Sequence, residues 1–142
     1  MKDFESVLYI EDDPIEGEVT RRLHDTISKK FYNEVRFDIA TTWNAGVDYV
    51  ERHKPDVVIL DLALYPEQNT EKTVEEIKMH WKEWPPILVL TGNTADPSLR
   101  KRCILAGASD FMLKGDARHG GFEQLCERIY NCYLRRQREE GA

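Results

Sequence analysis

The sequence predicts a doubly wound α/β domain: a five-stranded parallel sheet in the order 2-1-3-4-5, with helices on both faces. Three observations carry this. Strand-like and helix-like patterns alternate five times along the 142 residues, the signature of repeated strand–helix crossovers. The runs Val57-Val58-Ile59-Leu60 and Ile87-Leu88-Val89-Leu90 are apolar without alternation, as in strands covered on both sides. Only the second strand, where Val35, Phe37 and Ile39 alternate with Arg36 and Asp38, reads as half-buried. That marks it as an edge and selects the order 2-1-3-4-5.

The elements follow in order. The first strand covers about residues 6–11. Pro14 opens a helix, because its missing N–H would be unpaired there in any residue. Ile15, Val19, Leu23, Ile27 and Phe31 then recur every four residues as an apolar stripe. After the second strand, a helix spans about Trp43 to His53 with Gly46, Val47 and Val50 inward. The third strand is Asp56 to Leu60. A third helix runs from about Glu71 to Trp81, with Val74, Ile77 and Trp81 at helical spacing, and Pro85-Pro86 stop it. The fourth helix spans about Asp96 to Ala106, with Leu99 and Cys103 inward and Gly107 at its end. The fifth strand is Ser109 to Leu113. Gly120-Gly121 precede a last helix bearing Phe122, Leu125, Ile129, Cys132 and Tyr133 on one face. Trp43, Trp81 and Trp84 read as packing residues. The chain is expected to be a single domain over 1–142, its core at about 6–135 and its end a charged, fraying helical tail over 135–142.

Composition narrows the function. A content of 41% hydrophobic residues suits one domain with a real core. The net charge of −6 argues against direct nucleic-acid binding, which leaves a basic footprint. No apolar run approaches the roughly 20 residues that span a bilayer, and the acidic Met1–Glu5 segment is no signal peptide. Three cysteines, Cys103, Cys126 and Cys132, suit a reducing cytoplasm better than a disulfide framework.

Four strands end in polar residues of a particular kind. The first ends in Glu11-Asp12-Asp13, the third in Asp61, the fourth in Thr91 and the fifth in Lys114. In an open parallel sheet, ligands sit outside the carboxyl ends of the strands, so these carboxylates, hydroxyl and ammonium converge there. With the order 2-1-3-4-5 the switch point falls between the first and third strands, where Glu11, Asp12 and Asp61 meet. Each has a plainer reading. Asp12 and Asp13 could cap the helix at Pro14, and capping is the role expected of Asp13. Asp61 and Thr91 could serve turns, and Lys114 could be a solvated loop lysine. Phe111 reads as core.

Four segments together resemble the receiver domain of two-component response regulators, of which the stand-alone chemotaxis regulator is the simplest relative. They are Tyr9-Ile10-Glu11-Asp12-Asp13-Pro14, Asp56 to Leu62, Pro86 to Gly92, and Ala106 to Lys114. The resemblance covers about residues 6–135. It implies a flavodoxin-like (βα)5 fold and a Mg²⁺-dependent signalling switch that receives a phosphoryl group on Asp61 from a histidine kinase or phosphotransfer protein. It implies Asp12 and Asp61 as direct metal ligands, Glu11 acting through water, and the Ala63 carbonyl as a backbone ligand. Lys114 would pair with one phosphoryl oxygen and Thr91 would donate its hydroxyl to another. Thr91 and Phe111 hold the switch positions. Output would pass through the face of the fourth helix, fifth strand and last helix, to a downstream protein or a second copy. No chemistry beyond self-phosphorylation and autodephosphorylation is implied, and a cytoplasmic location is expected.

The residues justify that chemistry. A carboxylate attacking a phosphoryl group meets like charge, so cations must neutralise both. Mg²⁺ prefers oxygen ligands, keeps waters, and commonly binds through one or two carboxylates plus phosphate. The chain departs from the family pattern after Asp61, where Leu62 to Thr70 carries Pro66 one place late and no closing glycine. It departs again at Gly115, which replaces the usual proline after the lysine and makes a cis peptide there costly. The altered loop keeps open a second reading, a phosphorylation-independent adaptor. A hydrolase is disfavoured, because Ala63 cannot act as a general acid.

Overall fold

The computed structural model describes residues 4–11, 35–62, 70–92, 96–118 and 121–141, with residues 21, 22, 25, 26, 28 and 29 of the intervening stretch. Five strands form one parallel sheet: β1 (Ser6–Ile10), β2 (Arg36–Ala40), β3 (Val57–Leu60), β4 (Ile87–Thr91) and β5 (Asp110–Leu113). Their order is β2-β1-β3-β4-β5, as the alternation of the second strand predicts. The five helices with defined bounds are α1 (Trp43–His53), α2 (Thr70–His80), α3 (Leu99–Ala106), α4 (Lys114–Arg118) and α5 (Phe122–Gly141). The predicted stripe at Ile15, Val19, Leu23, Ile27 and Phe31 lies outside the described residues. The six described positions between 12 and 34 are all helical.

Successive strand side chains face opposite ways, and the sheet divides its apolar residues accordingly. Val7, Tyr9, Val57, Ile59, Leu88, Leu90 and Met112 face one layer, where Leu125, Cys126, Ile129, Cys132 and Tyr133 of α5 cover them. Leu8, Ile10, Val58, Leu60, Ile87, Val89 and Phe111 face the other, covered by α1, α2 and α3 through Trp43, Val50, Ile77, Leu99 and Cys103. Every residue of β3 and β4 is buried, which is why neither strand alternates. On the Val35, Phe37 and Ile39 face of β2 burial falls away: Val35 is buried, Phe37 is half-buried and Ile39 is 43% exposed, while Ala40 on the other face is buried. Ile39 is therefore not inward as predicted; an edge strand has a neighbour on one side only. Burial pushes the Cys103 and Cys132 thiols up to about 11, so both stay neutral core residues.

Local sequence sets the ends. The Thr42 hydroxyl caps α1 by accepting from the Ala45 N–H at 3.1 Å. Asp56, 7% exposed, accepts from the N–H groups of Glu5 (2.7 Å) and Ser6 (3.1 Å), tying β3 to β1 at the amino edge. The fourth helix starts at Leu99 rather than Asp96. Asp96 instead accepts from the Ser98 N–H at 2.9 Å and hydroxyl at 2.7 Å, a local turn that delays the helix. The tail continues the last helix, as expected. Arg135 donates to the Ser109 carbonyl at 2.7 Å, and Arg136 to the carbonyls of Trp84 (2.6 Å) and Trp81 (3.3 Å). The helix is thus tied at Arg135 and Arg136 to backbone acceptors, and α5 runs on to Gly141. Trp43 stacks on Trp84 with centroids 5.4 Å apart, the packing role predicted for them.

Gly107 ends α3 with φ 118°, and a Cβ there would lie 2.3 Å from Trp81 Cγ. At Gly115 a Cβ would meet nothing within 4 Å. Gly107→Ala is therefore expected to destabilise the fold by about 1–3 kcal/mol, through left-handed strain and overpacking, while Gly115→Ala leaves it nearly unchanged. Urea unfolding midpoints check this, and equal midpoints for the two variants would refute it.

Candidate functional site

The site lies at the carboxyl edge of β1, β3, β4 and β5. Ile10 pairs with Leu60 across β1 and β3, so the next residues, Glu11 and Asp61, leave the sheet side by side. Their backbones are fixed there: the Glu11 N–H donates to the Ala40 carbonyl at 2.9 Å and the Asp61 N–H to the Ile10 carbonyl at 3.2 Å. Thr91 closes β4 and pairs with Leu113 of β5, and Lys114 follows directly. Glu11, Asp61 and Thr91 are 1%, 6% and 2% exposed. The apolar strands that deliver these groups thus hold them in a layer that water barely reaches.

Lys114 joins two of them. Its Nζ donates to Glu11 Oε2 in a short contact and to Asp61 Oδ2 at 3.4 Å. Burial works hardest against the Lys114 charge, but the bond to Glu11 and the charges of Asp61 and Glu11 outweigh it and raise its pKa. Tyr9, fully buried one turn of the pleat before Glu11, donates its hydroxyl to the same Oε2 at 3.3 Å. Beside Thr91, a Cβ on Gly92 would lie 3.9 Å from Lys114 Cδ, so the lysine stem runs past this glycine on its way to the carboxylates.

Glu11, Asp61 and Lys114 come together as the sequence predicts, and Thr91 shares their edge. Asp12, Asp13 and Ala63 lie outside the described residues. Among the described residues no group of three or more His, Cys, Asp or Glu side chains is placed to hold a metal. The chemistry of the donors nonetheless suits a hard cation. Mg²⁺ takes carboxylate oxygens, often only one or two, and fills its shell with water. Lys114 Nζ already shows that one cation can reach both Glu11 and Asp61.

Three features were not anticipated. Lys114 opens a short helix, α4 (Lys114–Arg118), rather than a loop. Phe111, at the aromatic switch position, is by contrast inward at 7% exposure, as expected of a core residue. Arg128 ties α5 to β5 through Asp110 Oδ1 (3.1 Å) and the Phe111 carbonyl (3.0 Å). On the same side, Arg102 of α3 donates to Asp96 at 2.7 Å and also to Glu71 of α2. Arg128 and Asp110 are 18 residues apart and Arg102 and Glu71 are 31 apart, and pairs at such separations leave no sequence signal.

Comparison with known proteins bears on this arrangement. Residues 7–127 match the response regulator receiver domain. The chain belongs to that family. Its fold is similar to a CheY-like response regulator receiver domain protein from Methanospirillum hungatei, at 19% identity and a TM-score of 0.73, covering 96% of this chain and 99% of that one. It is similar to a response regulator from Thermotoga maritima, at 19% identity and TM-score 0.71, covering 93% and 99%. A third similar structure is a response regulator protein from Burkholderia pseudomallei with a phosphorylated aspartic acid, a calcium ion and citrate, at 19% identity, TM-score 0.63, and coverage of 96% and 72%. No curated protein matches the sequence. Receiver domains are phosphoryl-accepting signalling modules of two-component systems and are switches rather than typical enzymes. Among the described residues, no helix of this one is long and apolar enough to cross a membrane.

Removing Lys114 leaves two nearly buried carboxylates without the cation they share. Lys114→Ala is expected to cost about 3–5 kcal/mol without metal, as breaking a buried pair does, and Asp61→Asn in that background should recover part of the loss. The pH dependence has a definite sign. Because the folded pKa of Lys114 lies above its unfolded value of about 10.4, its contribution is complete below that pH. It is lost as pH rises through the raised value. Chemical denaturation of parent and variant from pH 7 to 11.5 reads both effects, and an unchanged stability of Lys114→Ala at pH 7 would sink the assignment.

Proposed function

We propose that this receiver domain accepts a phosphoryl group on Asp61, with Mg²⁺ as cofactor, from a histidine kinase or phosphotransfer protein. The convergence of buried Asp61 and Glu11 with half-buried Lys114 at the carboxyl edge of the sheet supports this reading. An Asp61 carboxylate oxygen attacks phosphorus, an acyl phosphate forms, and the phosphorus–nitrogen bond of the donor phosphohistidine breaks. Lys114, freed from Glu11, pairs with one phosphoryl oxygen and the Thr91 hydroxyl donates to another. When bound, Mg²⁺ neutralises charge on the carboxylates and the phosphoryl oxygens. Asp12, Asp61 and the Ala63 carbonyl are the proposed direct ligands, with Glu11 acting through water.

Output is proposed to pass through α3, β5 and α5. There Leu105 is 76% and Ile104 41% exposed, and both line a 510 Å³ cavity with Arg100, Lys101 and Arg135. A protein partner or a second copy would bind this face. Movement of Thr91 toward the new anion at Asp61 reaches it first, because Thr91 and Leu113 are paired across β4 and β5. The change is a population shift, limited by the differential contacts of the two states. Phe111 adds little to it. Its ring is already 7% exposed, so further burial contributes a small part of the roughly 1.5–3 kcal/mol of a full side chain.

Acetyl phosphate with Mg²⁺ should add one hydroxylamine-labile phosphoryl group to the intact mass, and Asp61→Asn should abolish it. A parent chain that takes up no phosphoryl group, while still binding partners, would favour the adaptor reading suggested by the loop after Asp61.

Beryllofluoride should change amide exchange around residues 96–114 more than on α1. Changes absent from 96–114 would overturn the proposed output face.

A further inference from the structure

We infer that Tyr9 is a positioning residue for the phosphoryl-acceptor site, holding Glu11 in place for Mg²⁺ and keeping hold of it when Lys114 moves to the phosphoryl group. The inference rests on the phosphoryl-acceptor reading above.

Tyr9 and Glu11 lie two residues apart at the end of β1, so their side chains leave the strand on the same face. Tyr9 is 0% exposed and its ring packs with Val7, Ile59 and Leu90 in the layer beneath α5. A purely apolar residue would fill that layer as well. The hydroxyl is the distinguishing group, and it reaches Glu11 Oε2 at 3.3 Å. Glu11 is itself 1% exposed, so solvent offers its carboxylate little. A glutamate has one more rotatable bond than an aspartate, and a carboxylate at the edge of a metal site needs that freedom removed.

The two donors share one oxygen. Lys114 Nζ and the Tyr9 hydroxyl both point at Oε2. The Tyr9 bond is long for an O–H···O pair, as expected where an ammonium takes the larger part of the lone-pair density. Once Lys114 turns to a phosphoryl oxygen, Oε2 loses that donor inside a layer with little water. The Tyr9 proton stays in reach of the same oxygen and can close on it, which keeps Glu11 aimed at the metal. Glu11 would act on the metal through water, so it is itself an outer-shell group, and Tyr9 fixes it much as outer-shell partners fix ligands.

Calorimetric titration with Mg²⁺ alone tests the idea on the parent chain, Tyr9→Phe, Glu11→Asp and the double variant. Tyr9→Phe keeps the ring, so the apolar layer is preserved. Its Mg²⁺ affinity should fall about three- to tenfold, less than the roughly 10–100-fold seen when outer-shell partners of tight sites are lost. In the Glu11→Asp background, where the shortened carboxylate cannot reach the hydroxyl, the same change should have no further effect. A merely structural role would instead lower the metal-free melting temperature and leave Mg²⁺ affinity alone. A second readout needs no variant: the Tyr9 ring-carbon resonance bearing the hydroxyl should shift when Mg²⁺ is added to labelled parent chain. An unmoved resonance, or equal Mg²⁺ affinity of parent and Tyr9→Phe, overturns this inference alone. No Mg²⁺ binding by the parent overturns the phosphoryl-acceptor reading and this inference with it.

Discussion

Two carboxylates held almost out of water at the ends of largely apolar strands constitute the central constraint on this molecule. Glu11 and Asp61 sit one residue past a β1–β3 pair, and placing like charges side by side in a poorly hydrated layer raises the free energy of the fold. Lys114 offsets that cost in the metal-free protein. It can do so because β5 ends beside Thr91, which brings Lys114 to the same edge as the two carboxylates. Strand order and register both serve that one contact. The same crowding of carboxylates is what a divalent cation would relieve under the proposed function.

Much of this was legible before any coordinates. The unbroken apolar runs of β3 and β4 announced strands covered on both faces, and the alternation of β2 announced an edge. Once the order 2-1-3-4-5 is set, polar residues at strand ends converge without further information, so Glu11, Asp61, Thr91 and Lys114 could be placed from sequence. Helix α1 was read to its observed bounds, since Thr42 caps one end and the apolar face is regular.

What escaped prediction depends on side-chain reach rather than on period. Arg135 and Arg136 look like solvated charge in sequence, yet their guanidinium groups find carbonyls of residues far away in the chain. The turn that α4 makes at Lys114 follows from no strong local signal, because Gly115 argues against helix. Ile39 carries the pattern of an inward residue but sits where the sheet has run out of cover. The Tyr9 hydroxyl is invisible to any pattern that counts tyrosine as apolar. Asp12 and Ala63 lie outside the described residues, so their places rest on the family resemblance.

The twenty residues of α5 have a mechanical consequence. At about 1.5 Å per residue that helix is some 30 Å long, whereas a five-residue strand covers about 17 Å. It therefore overhangs the amino edge of the sheet. Arg128 fastens its shaft to β5, and Arg136 fastens it again where it passes Trp81 and Trp84. A rod fastened at two bearings cannot pivot on the sheet, so the turns beyond Arg136 are carried as a rigid extension of β5 and of the turn before β4.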